Sequence, residues 1–504
     1  MLTNSFKKGM IILSKINNEI NITNTGMTIV PYKKGQSKQI ENDTAIWNKA
    51  YYKLDPVIGF TVHHSTETDT TSFVTVKNSE NYIRSLFPNY IITHQSCNNA
   101  YKLSESFSLN SDISPTDIQS DIINSVLREK YKNEWFVNLP TGTGKTLLSI
   151  YLISILNTKA LIMCYSTEIL MQWIKTIKNK TDFNPSKILL LDSSKLLHNI
   201  YTGKFDASEY DIFLATPKLI VSYCDKYGFS TLNDIFNNIG IGIKIFDEAH
   251  RNIGNMVKIN GYSNVGKTLY LSADFAQANH NKEKLYYKMM RGVPVFKPDK
   301  ETLNSMKYTQ CIIVEYDTEP DMTDISNVYT NHGFSLTNYM RYQFNNGMIV
   351  NALKYVLKNI FSTNDKGHKI LILMNLIENV DDLYLLLKDI YGNDECICRF
   401  HSGIDENEKE LGRTQANIII STYGSFGTGI DINNIKYVIS LDQCNKVADN
   451  QAAGRARPLS DGSDASYIIL IDRGFKYAVN KLKVRVDYLY ENKIKKVTRI
   501  KYYE

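Results

Sequence analysis

The stretch "EWFVNLPTGTGKTLLSIYLISIL", residues 134 to 156, joins two apolar runs through a loop of small residues. "WFVNL" reads as a buried strand and "LLSIYLISIL" as an apolar helix, so the loop is a strand-to-helix turn. A phosphate-binding loop needs this setting: glycines let the backbone curl around the phosphates, and N–H groups at the helix start converge on them. Thr141, Gly142, Thr143 and Gly144 would form the cradle, Lys145 would reach the β and γ oxygens, and the Thr146 hydroxyl would ligate Mg²⁺. Leu139 stands where the strict Gly-x-x-x-x-Gly-Lys-Thr pattern has its first glycine.

That strict spelling occurs elsewhere, in "GYSNVGKT" at 261–268. Its surroundings are wrong. "RNIGNMVKIN" before it lacks a strand pattern, and "LYLSAD" after it reads as a strand and not a helix, so this match is expected to be a loop.

At 504 residues the chain has room for roughly two to four domains. Its 43% hydrophobic and 22% charged residues are those of a soluble globular protein and exclude a largely disordered one. The net charge of +6 permits a polyanionic partner without demanding one. Seven cysteines with no Cys-x-x-Cys pair argue against a zinc ribbon or a disulfide framework and fit a reducing compartment. No charged-then-apolar leader opens the chain, and its longest apolar run, near 147–156, is too short to span a bilayer. The expectation is an intracellular, soluble, cytoplasmic protein with no membrane partner. Abundant Asn, Ile, Lys and Tyr suit an A/T-rich genome, such as that of a virus in its host cell.

From about residue 112, short apolar runs alternate with helical stretches: "WFVNL", "ALIMCY", "KILLLD", "DIFLAT", "IGIKIFDEAH" and "LYLSAD". A second series follows: "QCIIVEY", "KILILM", "CICRF", "NIIIST", "YVISL" and "SYIILID". Alternation of this kind implies parallel sheets with helices on both faces, hence two α/β domains in series, 112–305 and 306–504. Residues 1–111 differ. "GFTVHHSTETDTTSFVTV", 59–76, reads as a β-hairpin in a small N-terminal α+β accessory domain.

Holding phosphate is not hydrolysing it; a carboxylate for the metal and a base for water are also needed. "IKIFDEAH", 243–250, supplies both: Asp247 at the end of a buried strand for Mg²⁺, and Glu248 beside it to orient the attacking water. His250 would couple this strand end to the next motif.

"PTGTGKT", "DEAH", "LSAD", "STYGSFGTGID" and "QAAGRARP" fall in an order that resembles the superfamily two helicases and translocases, across about residues 112–475. The resemblance implies two tandem RecA-like P-loop domains, ATP bound between them with Mg²⁺, and nucleic acid as the partner. It places the adenine-reading glutamine at Gln119, although Asp117 replaces the usual upstream aromatic. Backbone phosphate contacts would fall to Ser166, Thr167, Gln172 and Thr216, and "HSG" at 401–403 would touch the strand. "LSAD" is similar to the coupling motif, with Ser272 in place and Asp274 where threonine is usual. Gly427 and Gly429 would allow close backbone approach, Asp431 would contact the nucleotide, and Arg455 would be the arginine finger. Pro458 replaces the family's further arginine, with Arg457 one place early.

The tail from Lys476 holds nine Lys or Arg against three acids, interleaved with tyrosines. It reads either as a nucleic-acid surface or, the favoured reading, as an amphipathic helix packed on the second domain. Residues 289–307, "MRGVPVFKPDKETLNSMKY", resemble the connector of phage branch-migration and poxvirus transcript-release helicases, which favours DNA, or a DNA–RNA hybrid, over RNA. The expected activity is ATP-dependent strand unwinding or remodelling, with replication, recombination or transcription as settings for unknown partners. The rivals are a motor subunit of a restriction or packaging machine and a non-enzymatic nucleic-acid-binding module with a degenerate ATPase. A P-loop kinase or metabolic ATPase would need neither the Gly454–Arg455 motif nor a second α/β domain.

Overall fold

The computed structural model describes residues 19–23, 26–32, 45–48, 53–56, 60–65, 70–77, 80–86 and 90–94. From residue 101 it describes all but 141, 229, 274–285, 288, 306, 308, 332, 363–367, 393–394, 427–431, 433, 442–445, 457–462 and 504. Two compact units result: residues 1–139 with 144–297, and residues 140–143 with 298–504.

The first unit opens with β1 (Glu19–Ile22), β2 (Gly26–Tyr32), a separate hairpin of β3 (Ala45–Asn48) and β4 (Lys53–Pro56), then β5 (Phe60–Ser65), β6 (Thr70–Val76) and β7 (Ile91–His94). The expected hairpin is the antiparallel β5–β6 pair, at the edge of a sheet ordered β5-β6-β2-β1-β7. This sheet packs on the helix Ile253–Tyr262, where the Thr23 hydroxyl donates to the Asn260 carbonyl at 2.7 Å.

The rest of that unit is a parallel sheet of β8 (Glu134–Asn138), β9 (Ala160–Met163), β10 (Ile188–Leu190), β11 (Ile212–Ala215), β12 (Ile243–Phe246), β13 (Lys267–Ser272) and β14 (Val295–Phe296). Its order is β10-β11-β9-β12-β13-β8-β14. Every residue of β9, β11 and β12 is buried, because helices cover both faces; hence the unbroken apolar runs. Lys244 in β12 is the exception in kind, a fully buried cation. Its ammonium donates to Asn260 Oδ1 at 2.9 Å and Ser263 Oγ at 3.3 Å. Asn260 Nδ2 in turn donates to the Tyr270 hydroxyl at 2.8 Å, which donates to Glu134 Oε1 at 2.7 Å. Burial pushes Glu134 up to about 7 against the opposing pull of Tyr270 and Lys244.

The second unit repeats the plan with β15 (Thr309–Tyr316), a short β16–β17 pair (Tyr329–Thr330 and Gly333–Phe334), β18 (Lys369–Met374), β19 (Ile397–Phe400), β20 (Ile418–Thr422), β21 (Ile435–Ser440), β22 (Ala465–Asp472) and β23 (Ile494–Lys501). The parallel sheet runs β19-β20-β18-β21-β22-β15-β23. Six strands of each seven-stranded sheet coincide with the two series of apolar runs, β14 and β23 being the additions, and the architecture is that of two tandem RecA-like domains.

The C-terminal tail is part of this core. Helix Lys476–Asn492 buries Ala478, Leu482, Val486 and Leu489, and Tyr477 stacks on Phe334 at 4.1 Å between ring centroids. Arg485, one of the nine basic residues, is 2% exposed and grips Asp449 through both Nε and Nη2. Tyr467 donates to the same carboxylate at 2.5 Å, and Arg485 Nη2 also reaches Ser440 Oγ at 3.2 Å. The chain then adds β23 beside β15, an edge strand that the sequence pattern, rich in lysine, did not suggest.

Two stability measurements follow from these buried charges. Arg485→Met strands the Asp449 carboxylate and is expected to cost about 3–5 kcal/mol in urea unfolding followed by a probe in the second unit. Glu134 has a folded pKa above its unfolded one, so it withdraws stability as pH climbs from the ordinary carboxylate range to about 7. Between pH 5 and 8 the protein should therefore lose up to about 3 kcal/mol that Glu134→Gln does not lose, read from unfolding midpoints at both pH values.

Candidate functional site

The loop after β8 ends at Gly144, whose φ of 78° is left-handed and natural only for glycine. It is the N-cap of helix Lys145–Leu156 and has no side-chain cap, so the first-turn N–H groups are left for another acceptor. Gly142 shares the left-handed backbone at 84°, and the Thr143 hydroxyl closes the loop on the Pro140 carbonyl at 2.7 Å. Thr141 lies outside the described residues. Thr146 follows Lys145 in the first helical turn.

Gln119 reaches this loop from helix Asp117–Arg128. Thr116 and Gln119 form a capping box, in which Gln119 Oε1 accepts from the Thr116 N–H at 3.0 Å. Its Nε2 donates to the Gly144 carbonyl at 3.3 Å. The two are packed so closely that a Cβ on Gly144 would lie 2.4 Å from Gln119 Nε2.

Asp247 and Glu248 leave the end of β12, which runs between β9 and β13. The Asp247 N–H continues the ladder to the Met163 carbonyl at 2.9 Å. Glu248 has a φ of 49°, a left-handed backbone that a side chain tolerates at a cost of about 1 kcal/mol or more. The twist carries its carboxylate to Lys145, whose ammonium donates to Oε1 at 3.1 Å. Glu248 Oε2 is buried, accepts no hydrogen bond, and lies 3.4 Å from His250 Nδ1. Burial alone would raise Glu248, but Lys145 and His250 hold it down at about 2. Asp247 moves the other way: burial and the Glu248 charge raise it, against Lys145 and the indole of Trp173.

These groups suit a magnesium nucleotide. Lys145 holds a carboxylate in the place of a phosphate, the helix start offers open N–H groups, and a second partly buried carboxylate, Asp247, stands next to the first. Among the described residues no cluster of three or more His, Cys, Asp or Glu forms a ligand set. Thr146 and Asp247 are the residues that could hold Mg²⁺ together with nucleotide oxygens, as this ion is commonly bound.

His250 Nδ1 lies 2.8 Å from Ser272 Oγ, joining the DEAH strand end to the end of β13; Asp274 lies outside the described residues. At the end of β9, Ser166 starts helix Thr167–Lys180 without capping it, and its Oγ is buried without a partner. Thr167 is exposed and Gln172 partly so. Thr216 is instead a helix cap, accepting the Leu219 N–H at 3.2 Å.

In the second unit Gly427, Gly429, Asp431, Arg457 and Pro458 lie outside the described residues. Arg455 is half-buried in the turn after helix Lys446–Ala453, the helix that carries Asp449. His401 accepts the Gly403 N–H on Nδ1 at 3.2 Å and so donates from Nε2 to Asp381 Oδ1 at 3.1 Å. Arg399 braces that carboxylate at 2.7 Å and Glu408 at 3.1 Å.

The second Gly-Lys-Thr is resolved by placement. Gly261 ends a helix and Lys267 begins β13, where its ammonium donates to the Lys130 and Lys132 carbonyls at 2.5 and 2.7 Å. The strand Lys267–Ser272, and not a helix, continues directly from it. Sequence reasoning missed Trp173, whose indole meets Asp247 at 2.9 Å; only the tertiary packing of its helix reveals the contact.

Residues 112–277 match the family described as type III restriction enzyme, res subunit, and residues 350–458 match the helicase conserved C-terminal domain. With these two domains in this order on two RecA-like sheets, the chain belongs to the superfamily two helicases. No curated protein matches it by sequence. Among solved structures, the DEAD-box helicase Mss116 bound to ssRNA and UDP-BeF shares 20% identity over 77% of this chain and 75% of that one, at a TM-score of 0.54. S. cerevisiae Dbp5 bound to RNA and ADP BeF3 shares 15% over 77% and 90%, at 0.50. At such identities the likeness is one of fold. Among the described residues no helix is long and apolar enough to cross a membrane.

The Gly144 contact is open to a direct test. Gly203 has a φ of 71° with nothing near its Cβ position, so Gly203→Ala pays only backbone strain, about 1–2 kcal/mol. Gly144→Ala must also displace Gln119 and is expected to cost clearly more in the same urea unfolding series.

Proposed function

We propose that this protein is an ATP-dependent nucleic-acid helicase or translocase, with residues 112–305 as the ATP-binding domain and 306–504 as the C-terminal helicase domain. The observation that carries the reading is the Lys145–Glu248 pair at 3.1 Å, made by a glutamate on a left-handed backbone. Strain at the end of a central strand persists where surrounding structure enforces it, and such residues cluster at working sites.

ATP and Mg²⁺ supply the transferable phosphoryl group and the neutralising charge when bound. The chain does the rest. Gly142, Thr143, Gly144 and the helix start bind phosphate oxygens, with Thr141 in the same loop, and Lys145 turns from Glu248 towards them. Thr146 and Asp247 would hold the metal. Glu248, then free of Lys145, orients water and takes its proton. Gln119 reads the base, Gly429 and Asp431 contact the nucleotide, and Arg455 meets the charge that builds on the γ-phosphate. Ser166, Thr167 and His401's loop engage the polymer backbone.

DNA, or a DNA–RNA hybrid, is the favoured track on the resemblance of residues 289–307. A second reading, the motor of a restriction machine, has support from the match at 112–277. The purified protein is expected to hydrolyse ATP faster with one of single-stranded DNA, forked DNA or RNA, and that polymer names the track. A blank-level rate with all of them would overturn autonomous ATPase activity and leave a motor silent without its partner or a degenerate module. Lys145→Ala and Glu248→Gln should each lower turnover about a hundredfold or more, whereas Lys267→Ala should stay within about twofold. Wild-type turnover in either of the first two would remove the site assignment.

A further inference from the structure

We propose that Trp173 is a positioning residue for the metal-holding carboxylate of Asp247, an inference that rests on the site reading above. Both oxygens of that carboxylate are engaged. Oδ1 accepts the Glu248 N–H at 2.9 Å, and Oδ2 accepts the Trp173 indole N–H at 2.9 Å. The first bond is local and fixes the carboxylate against its own backbone. The second comes from helix Thr167–Lys180, seventy-four residues earlier, and fixes its rotation from outside.

An indole suits the task for three reasons. It only donates, so it cannot compete for Mg²⁺ as a hydroxyl, imidazole or second carboxylate would. It is neutral, so it leaves the full negative charge of Asp247 for a cation. It is 1% exposed, in a core shared with Ile162, Leu170, Ile177 and Ile245, so the ring has little freedom to swing away. Buried Trp N–H groups need a partner, and this one has a carboxylate. Groups that orient a metal ligand from behind are commonly worth 10–100-fold in metal affinity.

The placement also links two sites. The helix that carries Trp173 begins at Ser166 and Thr167, the residues read as backbone phosphate contacts. About two helical turns separate them from the indole, so a helix displaced at its start displaces the donor that orients Asp247.

The test uses the full chain and Mn²⁺ as the probe, with binding of Mn²⁺·ADP followed by electron paramagnetic resonance. Trp173→Phe keeps the apolar ring and deletes the N–H. It is expected to weaken Mn²⁺·ADP binding tenfold or more, with ADP alone bound as before. Trp135→Phe is the control for losing a buried indole: Trp135 donates to the Glu129 carbonyl at 3.1 Å and should leave Mn²⁺·ADP affinity within twofold. Equal affinity for Trp173→Phe and wild type would overturn the proposal. Absence of Mn²⁺·ADP binding by the wild type would instead sink the nucleotide site, and this inference with it. Should Trp173→Phe fail to fold, the three indole resonances of ¹⁵N-tryptophan-labelled protein decide, assigned through Trp47→Phe and Trp135→Phe. The Trp173 resonance is expected to move on adding Mg²⁺·ADP while that of Trp135 stays; a Trp173 resonance indifferent to the addition would overturn the role.

Discussion

The site depends on where one strand ends. β12 lies between β9 and β13, buried on both faces, and its hydrogen-bond ladder continues one residue further through Asp247 before the chain turns. Because all seven strands are parallel, the ends of β8, β9, β12 and β13 open on one edge. The Gly142–Gly144 loop, the carboxylate pair, Ser166 and Ser272 therefore come to that edge without any long-range design beyond register. The left-handed turn at Glu248 then brings its carboxylate to a lysine that belongs to another strand's loop.

The second unit uses the same scaffold for a different kind of anchorage. Its comparable buried charge is Asp449, which Arg485 clamps on the helix leading to Arg455. Two donors and a tyrosine hydroxyl satisfy that carboxylate, so the helix is tied to the C-terminal helix by a bond that removal of either partner makes costly. A buried pair of this sort is weak evidence for net stability and stronger evidence for a fixed orientation.

Much of this was legible from residue order. Unbroken apolar runs identified both sheets because parallel strands covered by helices leave no polar face to interrupt them. Context distinguished the two Gly-Lys-Thr stretches, since a phosphate loop must precede a helix and Lys267 opens a strand. Other features were hidden because their partners come from distant positions. Trp173 reads as an ordinary core residue until its indole is found on Asp247, and Thr216 is a phosphate donor or a helix cap according to a single bond. β23 escaped notice because an edge strand keeps charged residues facing solvent, so it shows no apolar run. Lys244 and Arg485, which charge patterning would put on the surface, are interior because a specific acceptor awaits each.

The pairing of β15 carries a consequence for how the chain is made. β15 is the first strand of the second sheet in synthesis, yet its neighbours on either side are β22 and β23, the last two strands of that sheet to be made. More than a hundred residues must be translated before its backbone groups meet their partners, so this sheet cannot close while the chain is still growing through them. In the first unit β8 waits through a comparable span for β13 and β14, but that span is complete before β15 is made. The nascent protein thus passes through a stage with one finished half and one waiting strand, a period in which holdase chaperones have a defined apolar segment to protect.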